Sequence, residues 1–144
     1  MSKSNAWETA LLNLVFNNTD AANIGDATGL QGSSTAGSLY VSLHTSDPGE
    51  AGSPSTNECA YTSYARVGVA RSGAGWTVSG NAVTNAALIQ FPQCTGSSET
   101  ATHFGIGTAS SGGTLLYKGA LSASLAISSG IQPQFGATTL SGSE

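Results

Sequence analysis

Two histidines, two cysteines, eight carboxylates and many serines are the residues of this 144-residue chain whose types could do chemistry. Their spacing argues against most of it. A serine nucleophile needs a histidine against it and a third group to orient that histidine, and no Gly-x-Ser-x-Gly elbow occurs. His44 and His103 each fall on an expected strand, where a half-buried or exposed polar residue is the plainer reading. Cys59 or Cys94 with His103 could form a cysteine nucleophile, but no spacing singles that pair out. The same four residues lack the close pairs that seed a tetrahedral zinc site. Asp47, Glu50 and Glu58 share a loop that could chelate calcium, yet Pro48, Gly49 and Pro54 among them fit an ordinary solvated loop. Gly105-Ile106-Gly107 begins a dinucleotide fingerprint that Ser110 breaks at the third glycine position. Paired carboxylates of the glycosidase kind need geometry to be judged. The sequence therefore predicts no catalytic residue, no metal site and no cofactor.

The elements that would position these residues are mostly short strands. One helix is expected over 5–17, with Asn5 and Glu8 at capping-box spacing. Trp7, Leu11, Leu14 and Val15 form one apolar stripe, and Leu12 and Phe16 a second, well round the wheel. A helix lying on its own domain needs a single apolar face. The second suggests contact with another chain, so Trp7, Leu11, Leu14 and Val15 are the candidate protein interface; a helix sunk deeply in its own core is the alternative. Residues 18–38 and 45–63 read as long loops or arms that could order on a partner.

Strands are expected at 39–44, at 64–71 (Ala65, Val67 and Val69 inward, Arg66 and Gly68 outward), and in a hairpin turning at Ser79-Gly80-Asn81 between Trp76-Thr77-Val78 and Val83. Others are expected at 88–91, 102–108, 114–118, 121–127 and 131–135. About eight strands with regular turn signals and no βαβ alternation predict a mainly β, antiparallel β-sandwich or small barrel with one N-terminal α-helix, in a single domain spanning 1–144.

Composition narrows the function. Only 8% of residues are charged, against about 25% in ordinary soluble domains. Glycine (19), serine (22), threonine (16) and alanine (20) fill more than half of the chain. Four scattered cations, Lys3, Arg66, Arg71 and Lys118, make no basic stripe, so neither nucleic acid nor an anionic membrane is an expected partner. No apolar run is long enough to span a bilayer, and the first residues lack a signal-peptide pattern, which predicts synthesis and retention in the cytoplasm. Cys59 and Cys94 are then buried free thiols or, alternatively, a disulfide.

The series Ser38-Leu39-Tyr40-Val41-Ser42-Leu43-His44-Thr45-Ser46-Asp47-Pro48-Gly49-Glu50-Ala51-Gly52, then 64–71, 102–108 and 115–121, resembles a family of small tailed-bacteriophage proteins labelled tail-fibre or capsid decoration (cement) proteins. The resemblance implies a jelly-roll-like sandwich on the capsid surface of the virion. Its implied partners are the phage major capsid protein and itself, as homodimer or homotrimer, after synthesis in the host bacterial cytoplasm. Low charge suits that role, because interface cores are depleted in charge. The alternative is a tail-fibre or tail-tip protein contacting a host receptor; a wall-degrading enzyme and a carbohydrate-binding module are the further readings.

Overall fold

The computed structural model describes all 144 residues. It is mainly β with one helix, consistent with the expected β-sandwich class. The elements are α1 (Asn5–Asn17), β1 (Ser38–His44), β2 (Val67–Ala70), β3 (Trp76–Ser79), β4 (Ala82–Asn85), β5 (Ile89–Gln90), β6 (Ser98–Gly107), β7 (Leu115–Ser128), β8 (Gln134–Phe135) and β9 (Ser141–Ser143). They form a four-stranded sheet ordered β2-β1-β6-β7, a three-stranded sheet ordered β3-β4-β9 and the pair β5-β8. The β1–β6, β6–β7, β3–β4 and β4–β9 pairings are antiparallel.

Two compact units share the chain, each drawn from separate stretches. The first comprises Met1–Gly37, Val69–Ile89 and Phe135–Glu144; the second comprises Ser38–Gly68 and Gln90–Gln134.

In the first unit, α1 lies against β3 and β4. Its cap is Ser4, not Asn5: the Ser4 hydroxyl accepts from the Trp7 amide at 3.4 Å, one residue earlier than the capping-box spacing suggested. Asn18 ends the helix in the left-handed conformation that a short polar side chain tolerates. No basic residue occupies the last turn. Arg71 supplies the charge from outside: its Nε donates to the Val15 carbonyl and its Nη2 to Leu14, both at 2.7 Å. A guanidinium there meets the partial negative charge of the helix end. Leu12 and Phe16 are fully buried, and the Phe16 ring meets Trp76 edge-on with centroids 4.8 Å apart. Asn85, paired with Trp76 across the β3–β4 ladder, is also buried, its amide donating to Ala87 and Gly136 and its carbonyl oxygen accepting from Leu140. The 18–38 segment is held within this unit. Ala21 and Leu30 exchange backbone bonds, and the Asn18 side chain both donates to and accepts from Ser33.

In the second unit, β1 is buried on both faces over its last four residues, Val41 to His44. The 45–63 segment follows it back: Thr45 donates to Asn57, Cys59 donates to Leu43, and Glu58 bridges His44. Its order is supplied by its own unit. Several strand expectations change: the strand expected at 131–135 is only Gln134–Phe135, and the one expected from Thr102 starts at Ser98. The strand expected from Tyr64 begins at Val67, because a turn closes from the Tyr64 amide to the Tyr61 carbonyl, with Ser63 at φ 82°. The strands expected at 114–118 and 121–127 are one, β7, which runs past a break in its register with β6. β9 carries no apolar residue, so nothing in its composition announces it.

Candidate functional site

Ser42 and His44 stand two apart on β1, so their side chains share a face. The Ser42 Oγ lies 2.8 Å from His44 Nε2, and His44 Nδ1 lies 2.8 Å from the Thr56 carbonyl oxygen. That carbonyl can only accept, so Nδ1 carries the hydrogen and Nε2 accepts from the Ser42 hydroxyl. This is the arrangement of a serine nucleophile, its base and a group that orients the base. The sequence reading took His44 for a half-buried or exposed polar strand residue and overlooked Ser42; the i, i+2 spacing was the available signal.

Access is what the pair lacks. Ser42 and His44 are both 0% exposed. Gly105, opposite Ser42 on β6, closes over them. A Cβ on Gly105 would sit 2.7 Å from both His44 Nε2 and Ser42 Oγ, so no substrate atom fits where even a methyl cannot. Burial lowers the His44 pKa below its ordinary value near 6.5, with the Thr56 carbonyl and Glu58 opposing that shift. A neutral, sealed imidazole is a strut between β1 and the 45–63 loop.

Beside it lies the charged core of the unit. Arg66 donates through all five N–H groups: Nε to Glu58 Oε1 at 2.6 Å, Nη1 to Ala109 and Gly112 carbonyls, and Nη2 to Ser55 Oγ and Glu58 Oε2. The Tyr64 hydroxyl donates to the same Glu58 Oε1 at 3.0 Å and accepts from the Leu43 amide. Burial drives the Tyr64 pKa far up, while the Glu58 carboxylate raises that of Arg66. Arg66 was expected to point outward; its side chain is 4% exposed, because a bidentate carboxylate and two loop carbonyls compensate its desolvation. A cavity of about 500 Å³ opens over this cluster, lined in part by Glu58, Tyr61, Tyr64, Arg66, Ser110 and Ser111. With its fork saturated, Arg66 has no donor to offer a ligand there.

The remaining candidates disperse. His103 is bonded to the Thr102 hydroxyl at 2.8 Å. Cys59 and Cys94 are buried free thiols. Burial and the nearby Glu99 carboxylate push the Cys59 thiol up to about 12, so it is no nucleophile at neutral pH, and the Cys94 thiol donates to the Gly96 carbonyl. Asp47 and Glu50 both engage Lys118, at 3.1 and 3.0 Å, whereas Glu58 is turned to Arg66, so the three carboxylates do not converge. On α1 the two stripes separate cleanly. Leu12 and Phe16 face the core, while Trp7, Leu11, Leu14 and Val15 are each partly exposed.

The frame is mainly β, and its Ser42, His44 and Arg66 side chains are turned inward to hold loops. The chain belongs to the podophage GP4 fiber I protein gp80 family, whose sequence model matches residues 2–143. A comparison with curated proteins finds no match. It is thus a bacteriophage structural protein of the fibre type and a virion component.

Proposed function

We propose that the chain is a fibre component of the virion that works by docking to neighbouring subunits and carries out no reaction of its own. The observation that carries this reading is the family match over residues 2–143. The saturated Arg66 and the sealed Ser42–His44 pair support its non-catalytic half. The fibre reading takes precedence over capsid decoration because the matched family is described by a fibre protein, and the shell reading rests on resemblance alone. Contact with the neighbour is assigned to the partly exposed stripe of Trp7, Leu11, Leu14 and Val15. It is apolar, sits on a helix anchored from its other side, and carries no charge to desolvate.

Counting copies on purified particles tests the location. Quantitative mass spectrometry against the major capsid protein, joined to gold labelling, should give tens of copies or fewer, confined to the tail. Hundreds of copies spread over the shell would replace the fibre reading with capsid decoration.

A further inference from the structure

β7 is the outer strand of the four-stranded sheet, with β6 on one side and no strand on the other. Free edges of this kind are templates for pairing, and proteins ordinarily blunt them with proline or lysine. Over fourteen residues β7 has no proline and one charge. That charge, Lys118, is already engaged by Asp47 and Glu50 of its own chain.

The middle of the strand is freer still. Ala101 pairs with Leu125 and His103 with Ala120, so Leu121, Ser122, Ala123 and Ser124 stand opposite the single residue Thr102 and have no partner of their own on β6. Ser122, Ala123 and Ser124 are exposed, and Leu121 and Leu125 partly so. This same segment reads identically in both directions: Ala120-Leu121-Ser122-Ala123-Ser124-Leu125-Ala126.

We propose that β7 pairs antiparallel with β7 of a second copy about a two-fold axis at Ala123. An isologous contact sets each residue against its mirror position, and a palindrome makes those positions chemically alike. Ala120 faces Ala126, Leu121 faces Leu125, and Ser122 faces Ser124, each twice; Ala123 faces itself. Alternation places the four leucines and the two central alanines on one face and the four serine hydroxyls, within reach of one another, on the other. Lys118 falls opposite Ser128, which leaves the two Lys118 side chains roughly 34 Å apart along the ladder at about 3.4 Å per residue, beyond a Debye length of about 8 Å. Backbone groups that β6 does not engage gain partners, as in other strand additions. A different protein would have no reason to match the symmetry of this segment; a second copy matches it by construction.

Analytical ultracentrifugation of the purified full chain tests the pairing. The expected result is a concentration-dependent dimer. Ala123→Lys, which brings two like charges together on the axis, should raise the dimer dissociation constant by at least about a hundredfold, with an unchanged melting temperature at dilutions where both proteins are monomeric, because Ala123 is exposed. Ala123→Cys should give a covalent dimer on mild oxidation, since directly opposed Cα atoms at about 4.5–5.5 Å suit a disulfide. Ser143→Cys, in β9, should not. A monomer at every concentration, a trimer, a dimer indifferent to Ala123→Lys, or a failure of Ala123→Cys to cross-link would each overturn the proposal. The pairing is measured on isolated chains and the fibre reading on particles, so each can fail alone.

Discussion

His44 illustrates how much a single side chain can hold. It joins β1 to the 45–63 loop through Thr56 and stays neutral because burial opposes its charge. Its proton affinity is therefore higher in the unfolded chain, where it titrates near 6.5, than in the folded one. Stability from this residue is complete above that pH and declines as pH falls through it and below, by up to about 1.4 kcal/mol per pH unit. Urea denaturation between pH 7 and 4.5 should show that decline, and His44→Gln should flatten it. Asp26 and Asp47, whose pKa values are lowered by backbone and side-chain hydrogen bonds, lose their contribution only at more acidic pH, below their ordinary 3.8. Glu58→Gln should cost about 3–5 kcal/mol, because it leaves the Arg66 guanidinium buried without a counter-charge. Trp76→Ala should cost a similar amount through cavity formation beneath α1. Trp76→Phe should cost much less, since the buried Trp76 Nε1 has no hydrogen-bond partner to lose. Thermal melts of the two Trp76 variants order these effects directly.

At the scale of elements, α1 joins sequence pattern to function most directly. Its span was legible because periodic leucines and aromatics repeat over 5–17. What seats the Leu12–Phe16 strip was not, because Trp76 and β4, against which it packs, are distant in sequence. The Arg71 clamp on Leu14 and Val15 was hidden for a similar reason: it joins residues more than fifty positions apart. Arg71→Ala should destabilise by about 1–2 kcal/mol and speed amide exchange in the last turn of α1 ahead of the rest of the helix. Truncating residues 1–18 would strip Leu12 and Phe16 from the core, so the exposed stripe is tested by point changes. Most strands were legible from alternation. β9 was not, since Ser-Gly-Ser has no alternation to see, and the unity of β7 was masked by Gly119 and Ala120, which look like a turn in sequence.

For the whole molecule, the low charge that marked the sequence has a structural counterpart. Arg66, Arg71 and Lys118 all bind groups of their own chain, and the charges left exposed are mainly a few scattered carboxylates, Asp20, Asp26, Asp47 and Glu50 among them. Such a surface suits broad contact with other subunits more than recognition of a charged ligand. The disposition of the reactive side chains was legible only in part. Spacing argued against elbows and metal motifs, but the Ser42–His44 pair has the right contacts and is disqualified by burial, a property that only the fold reveals.

The central claim is that this protein acts through its surface and not through its serine–histidine pair. The direct measurement supplies variants in trans to a phage lacking its own functional copy, and scores the chain's incorporation into particles and their infectivity at matched amounts of folded protein. Leu11→Asp should fold, because Leu11 is partly exposed, yet fail to enter particles. Ser42→Ala should be incorporated and give infective particles. Normal assembly of Leu11→Asp, or fully assembled but inactive particles with Ser42→Ala, would contradict the account.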